Sequence, residues 1–331
     1  MKTKYLPFTT EMIPEAGDLL AKRHQRNRER LPVLPASFEQ TDVAAKAIEA
    51  LLEKKNTSGY AAMRDGKMVA YFLGTTTVQS WGRCGWVYLP GSALAEGESV
   101  ETLQDLYVLL GDDWVRRGVF IHHTYLSMAD KDIVEAWFDL DFGKERIDAI
   151  LDFSQVEIPE IRIPDGIQIR RVGPGDNDRL AGMSHLIYRE LEKAPYWHPT
   201  PPEEWDELRA GWAELADDET VNTWLALDGE RTVGTIASWK EEAGATDMLV
   251  GPQTFTFSVA ATRPESRGRG IATALTWTCL AHARDQGFDY CYTDWISPNL
   301  AASRFWPRFG FKEVAYRLTK QINPMIAWTR A

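Results

Sequence analysis

The clearest pattern of apolar and polar positions lies between residues 254 and 287. Phe255, Phe257 and Val259 alternate with Thr254, Thr256 and Ser258, a period of two that predicts a strand with one apolar and one polar face. Pro264 ends the extended run, and Arg267-Gly268-Arg269-Gly270 follows with two residues that lack a Cβ, as a tight turn requires. Ile271, Ala274, Leu275 and Cys279 then recur at helical spacing, predicting a helix over about 271–286, with Gly287 at the left-handed C-terminal cap.

The same reading along the chain predicts, in the front half, a strand near 4–8, helices over 14–28 and 42–54, and strands near 58–64, 68–76 and 85–89. A helix over 99–117, a strand over 118–126, a helix over 130–139 and a final pair of extended segments to about Phe153 complete it. The back half reads as strand 167–172, helix 177–192, a loop, helix 203–216 and strands 222–228 and 232–240, ahead of the stretch already described. Another strand, Phe288 to Asp294, comes after it. Strands alternating with helices in this way predict a mixed α/β sheet.

Two segments repeat. Tyr60 to Ala70 and Thr223 to Gly234 each read as strand, turn, strand, with Asp65-Gly66 and Asp228-Gly229 supplying tight hairpins. Asp130, Trp137 and Phe142 keep the spacing of Asn299, Trp306 and Phe311. One fold used twice is the expectation, with a first domain at 1–155, a Pro-punctuated linker at 156–166 and a second domain at 167–331.

Composition agrees with two cores, since 44% of the 331 residues are apolar and the chain holds 13 Trp and 13 Phe. The sequence has no run of 18 apolar residues, which argues against a membrane partner, and it opens without the apolar core of a secretory signal, so a cytoplasmic protein is expected. Cys84, Cys279 and Cys291 are odd in number and widely spaced, which suggests neither a disulfide framework nor a metal site. His122-His123 has no third ligand at metal spacing. The net charge of −11 disfavours nucleic acid and suits a cationic or amine partner. The one basic cluster, Lys22 to Arg30, reads as a solvated face.

A strand, a glycine turn and a helix start together make an anion site, because the first helical turn presents unpaired N–H groups at the positive end of the macrodipole. A diphosphate offers acceptor oxygens at the spacing of successive amides. No Gly-x-x-x-x-Gly-Lys-Ser/Thr run exists in the chain, and a dinucleotide fingerprint would need its third glycine at Thr273. The run Arg267-Gly268-Arg269-Gly270-Ile271-Ala272 instead resembles motif A of the GCN5-related N-acetyltransferases (GNAT), Gln/Arg-x-x-Gly-x-Gly/Ala. Asn299 to Phe311, Asn-Leu-Ala-Ala-Ser-Arg-Phe-Trp-Pro-Arg-Phe-Gly-Phe, resembles motif B of the same superfamily, in the same order and at a fitting distance.

That resemblance implies two tandem acyl-CoA N-acyltransferase folds, each a mixed, mostly antiparallel sheet flanked by helices. It implies transfer of an acetyl group from acetyl-CoA to a primary amine of a small molecule or peptide by direct attack, in the C-terminal half. Val259 and Ala261 would hold the pantetheine arm, Arg267, Gly268, Arg269, Gly270, Ile271, Ala272 and Thr273 the diphosphate, and Asn299 and Trp306 the arm from the other side. The family's usual thiolate-protonating Tyr is replaced by Trp306, whose indole is no usable acid. Ser303 or Tyr316 would take that role, or the thiolate would leave unassisted. Asp294 is the first candidate for general base, followed by Glu241, Glu242 and His198. Tyr196, Trp197, His198 and Trp205 form an aromatic group on a Pro-stiffened loop that would enclose the acceptor. In the front half, Gly91 to Ser99 stands where motif A belongs and carries Glu96 and Glu98 but no arginine, so a diphosphate would be repelled there. An acyl-CoA-binding sensor or scaffold without turnover is the alternative from another class.

Overall fold

A computed structural model describes residues 2–79 and 82–329. The chain forms two compact units, and neither is a simple half of the sequence. Unit 1 takes residues 2–148 together with 243–251 and 313–329; unit 2 takes 149–242 and 252–312.

In chain order the front half runs β1 (Lys4–Pro7), α1 (Ile13–Arg30), α2 (Thr41–Glu53), β2 (Thr57–Arg64), β3 (Lys67–Gln79), β4 (Gly82–Val87), β5 (Ser92–Leu94), α3 (Glu101–Arg116), β6 (Ile121–Ser127), α4 (Lys131–Asp139) and β7 (Gly143–Asp152). The back half runs β8 (Ile167–Arg171), α5 (Asn177–Ala181), α6 (His185–Leu191), α7 (Trp205–Glu214), β9 (Val221–Asp228), β10 (Arg231–Lys240), β11 (Thr254–Thr262), α8 (Ile271–Asp285), β12 (Tyr290–Ile296), α9 (Leu300–Phe305) and β13 (Lys312–Gln321). The expected α/β class, with a mixed and mostly antiparallel sheet flanked by helices, is present in each unit. Unit 1 orders its strands β1-β2-β3-β4-β6-β13 with β5 beside β3, and unit 2 orders them β12-β11-β10-β9-β8. Of the pairings within these orders, β4/β6 and β11/β12 are parallel and the others antiparallel.

Unit 1 packs Leu20, Ile48, Leu51, Tyr71 and Leu73, all fully buried, between α1, α2 and the sheet. Met248, from the connection between β10 and β11, is buried in this same core. The hairpin at Asp65-Gly66 has positive φ at both residues, 52° and 80°, the geometry that Asp-Gly promises.

Three local readings change. The basic cluster of α1 is no solvated face: Arg23, Arg26, Arg28 and Arg30 donate to the carbonyls of Ser92, Leu94, Leu34 and Ala129, so the guanidinium groups tie loops to the helix. The final pair of extended segments in the front half is one strand, β7. The expected helix 177–192 breaks into α5 and α6, because Arg263 takes the carbonyl of Gly182 at 3.3 Å while its Nε holds Thr232 O at 2.7 Å. The last strand, β13, pairs with β6 in unit 1 through Ala315↔Ser127 to Gln321↔Ile121.

Among the described residues, no helix is long and apolar enough to cross a membrane.

Candidate active site

Strands β11 and β12 start side by side and then part. Their register runs only from Thr254↔Tyr290 to Thr256↔Tyr292, although β11 continues to Thr262 and β12 to Ile296. The edges they leave unpaired border a cavity of about 630 Å³, walled by β11 from Phe257 to Thr262 and by β12 from Thr293 to Ile296. On the other edge of β11, the register with β10 skips at Ala237/Ser238, which makes Ser258 a bulged residue. A bulge re-aims the backbone beside it, and Ser258 and Ala260 are exposed within an otherwise covered strand. The other polar residues of the alternating pattern, Thr254 and Thr256, are buried like their apolar neighbours, because this sheet is covered on both faces.

The loop and helix close one end of the cavity. Gly268 and Gly270 sit at φ +78° and +86°, left-handed values that cost an L-residue about 1–2 kcal/mol. They turn the chain so that Gly270 caps α8. The first helical bond is Ala274 N to Gly270 O, 2.9 Å, so the amides of Ile271, Ala272 and Thr273 precede the helical ladder and are open to an anion. Gly234 on β10 allows α8 its close seat: a Cβ there would lie 2.9 Å from Leu275 Cδ1 and 3.2 Å from Ile271 Cγ2. At the other end of α8, Gly287 takes φ +82° as a left-handed cap.

Of the residues expected at the cofactor, Val259, Ala261, Arg267, Gly268, Gly270, Ile271, Ala272, Thr273, Asn299 and Trp306 border this one cavity. Arg269 turns to Asp228 at 2.7 Å instead. Arg267 is paired with Glu190 at 3.1 Å. Asn299 caps α9, its Oδ1 accepting from Ala302 N at 3.2 Å, just as Asp130 caps α4 through Ile133 N at 3.3 Å. Trp306 is buried and stacks on Phe257.

Among the catalytic candidates, Asp294 borders the cavity on β12, two residues beyond the last paired position. Glu241 lies past the end of β10 at the paired end of the strands, accepting from Thr256 Oγ1 at 2.5 Å, and Ser303 donates its hydroxyl to Ser297 O at 3.0 Å. Neither borders the cavity. Tyr316 belongs to unit 1, donates to Glu313 at 2.8 Å, and has its phenol pushed up in pKa by burial and by that carboxylate.

The aromatic loop arranges itself apart from the cavity wall. Tyr196 and His198 stack at 5.2 Å, Trp197 points outward at 68% exposure, and Trp205 packs edge-on against Tyr188 with Arg189 over its face. The wall facing β11 comes instead from α6, through Leu186, Ile187, Glu190 and Leu191, and Arg308 adds a further cation. These five were not singled out from the sequence, although the spacing of the α6 residues is that of one helix face.

Unit 1 differs at the corresponding place. Its parallel strands stay paired from Cys84↔Ile121 to Val87↔Thr124, the end of β4. Trp86 then stacks on His123 at 3.8 Å and Tyr88 on Tyr125 at 6.0 Å. After Leu89–Gly91 the chain enters β5 rather than a long helix, and Glu98 is ion-paired with Arg64.

Residues 185–311 match the acetyltransferase (GNAT) family. Over 113 residues the chain is 32% identical to N-acetyltransferase 8B of Rattus norvegicus, an alignment covering 34% of this chain and 46% of that protein. The chain thus spans less than half the length of this curated relative. A solved GCN5-related N-acetyltransferase from Sphaerobacter thermophilus superposes with a TM-score of 0.60 at 17% identity, covering 97% of this chain and 96% of that one. A tandem GNAT protein from the clavulanic acid biosynthesis pathway gives 0.54 at 11% identity, covering 98% and 99%. At these identities the two structures speak for the fold.

Proposed function

We propose that this chain, a member of the GNAT superfamily through its residues 185–311, transfers an acetyl group from acetyl-CoA to a primary amine of a small molecule or peptide, with catalysis in the C-terminal half. The observation that carries the reading is the parting of β11 from β12 beside a helix start presented by two left-handed glycines. An extended pantetheine arm needs an unpaired strand edge for its amides, and a diphosphate needs a ring of free N–H groups; the cavity supplies both. When bound, acetyl-CoA supplies the activated acyl group as a thioester.

The chain's own residues then have separable tasks. Amides of Gly268 to Thr273 and the Arg267 guanidinium hold the diphosphate. Backbone from Ser258 to Ala261 orients the arm and donates to the thioester oxygen, a role that the bulge at Ser258 supports. Asp294 takes the proton from the acceptor amine, directly or through a water. Trp306, Phe257 and the α6 side chains Leu186, Ile187 and Leu191 exclude water from the arm. The departing thiolate needs no partner acid, since a thiol pKa near 8.5 makes it a tolerable leaving group. The front half, 1–155, is a degenerate copy whose closed strands and glutamates leave no diphosphate seat, and the aromatic loop 194–202 shapes the acceptor's approach.

Two observations favour a second reading, a CoA-binding sensor: Trp306 replaces the expected phenol, and the Ser303 hydroxyl is already engaged with Ser297 O. A panel of amines with a free-thiol readout separates the two. The enzyme releases CoA above the hydrolysis blank with at least one acceptor; release at blank level on every amine, with CoA still bound, is the sensor's result.

A further inference from the structure

Within the cavity wall one contact sets a carboxylate where a diphosphate is to bind. Arg267 Nη1 meets Glu190 Oε2 at 3.1 Å, and both side chains border the cavity beside Gly268 and Gly270. A bare Glu190 there would repel an incoming anion. Its present position is nonetheless favourable, because Lys193 Nζ holds the same oxygen at 2.8 Å. Arg267 also keeps a second anchor, Nε to Thr262 O at 3.3 Å.

We propose that Glu190 is a displaceable counter-ion: it occupies the Arg267 guanidinium while the diphosphate seat is empty and yields it when a diphosphate arrives. This rests on the reading of the cavity as a CoA site. Three features make the exchange easy. The pair is partly exposed, 41% for Arg267 and 25% for Glu190, and pairs of that kind contribute little stability. A diphosphate offers more charge than a carboxylate and several acceptor oxygens to the planar guanidinium, so it wins the competition. Released Glu190 is not left unpaired, since Lys193 stays on Oε2. Burial pushes the Glu190 carboxyl up, but hydrogen bonds from Lys193 and Arg267 outweigh that and hold it below the usual range, so it is charged at neutral pH. Arg269, in contrast, pairs with Asp228 away from the cavity and takes no part.

The consequence is selectivity by charge. Glu190 imposes a penalty on every anionic ligand that a diphosphate repays through Arg267, and it leaves a ligand without phosphates indifferent. Calorimetric titration of the full chain with CoA and with pantetheine, for wild type, Glu190→Gln, Glu190→Lys, Arg267→Gln and the Glu190→Gln/Arg267→Gln double variant, tests this. Glu190→Gln tightens CoA about fivefold at low salt and Glu190→Lys tightens it at least as much. The gain shrinks in 0.5 M salt, on the order expected for screening of exposed charges. Pantetheine affinity stays the same in all variants, and in the double variant the Glu190→Gln gain is reduced, because the freed guanidinium is missing. Melting temperatures of the variants identify any loss of fold. CoA bound by wild type but no tighter by either Glu190 variant overturns the counter-ion and leaves the cavity assignment standing, as does an equal gain for pantetheine. No CoA binding by wild type overturns both.

Discussion

Trp306 lies against Phe257, ring centroids 5.4 Å apart and planes 26° from parallel, with Phe311 edge-on to the indole at 5.6 Å. The residue that breaks the family's pattern is therefore a wall of the cavity and part of its core. Trp306→Phe keeps the stack and removes the indole N–H, and the expected result is CoA release within about threefold of wild type, the range of ordinary contextual effects. Trp306→Ala opens a void and costs about 3–5 kcal/mol in urea unfolding. Loss of turnover in Trp306→Phe with CoA still bound would show that the indole N–H has a chemical part.

Asp294 is the carboxylate at the open ends of β11 and β12. Asp294→Asn is expected to lower kcat by about 10²-fold or more, the usual scale for a removed general base, while CoA affinity measured by calorimetry stays within twofold of wild type, as about 10² without a change in cofactor contacts implies. An equal loss in both quantities would make Asp294 a cofactor-positioning residue instead.

The three cysteines, Cys84, Cys279 and Cys291, are buried. Burial pushes the Cys279 thiol up to about 12, and the Cys291 thiol is raised by burial and by its neighbour Cys279. Since the thiolate is the reactive form, the native protein is expected to give no colour with an aromatic disulfide reagent and three thiols once unfolded. This leaves the free-thiol assay clean. Rapid native reaction of any cysteine would contradict the packing of unit 1 or unit 2.

His122 is almost fully buried between Tyr107, whose hydroxyl lies 2.9 Å from Nδ1, and the Val119 carbonyl, 3.2 Å from Nε2. Burial drives its pKa from the usual 6.5 to about 4, against the pull of the Val119 carbonyl, and Lys320 adds to the depression. The unfolded chain therefore takes up this proton first as pH falls, so stability is full above about 6.5 and is lost between about 6.5 and 4, by about 3 kcal/mol. His24, also held near 4 by burial, adds a loss in the same window. Urea midpoints measured from pH 7.5 to 4 follow this fall in wild type and a shallower one in His122→Gln; an unchanged slope in the variant would contradict it.

Local patterns made the site's frame legible. Alternation at 254–259, the two glycines before Ile271 and the cap at Gly287 all depend on neighbours in sequence, and β11, α8 and its caps stand where they indicate. What local patterns could not hold is partnership. Nothing near Val314, Tyr316 and Leu318 in sequence says that the mate of β13 is β6. The helix expected over 177–192 runs through Gly182, whose carbonyl accepts from Arg263, 81 positions away. Both arginines of the loop are expected at the diphosphate, and their partners Glu190 and Asp228 lie far from them in sequence. The wall beside β11 is made by α6, whose Leu186, Ile187 and Leu191 carry no motif.

The most direct test is calorimetric titration of CoA into the intact chain and into its Gly270→Val variant. Gly270 holds φ +86° at the start of α8, a value a β-branched residue resists by about 1–3 kcal/mol, so the substitution disturbs the amide ring without adding charge. One CoA per chain for wild type, and binding weakened by about tenfold or more for the variant with its melting temperature largely kept, is the predicted result. No heat of binding in wild type, two sites per chain, or an unaltered affinity in Gly270→Val would contradict it.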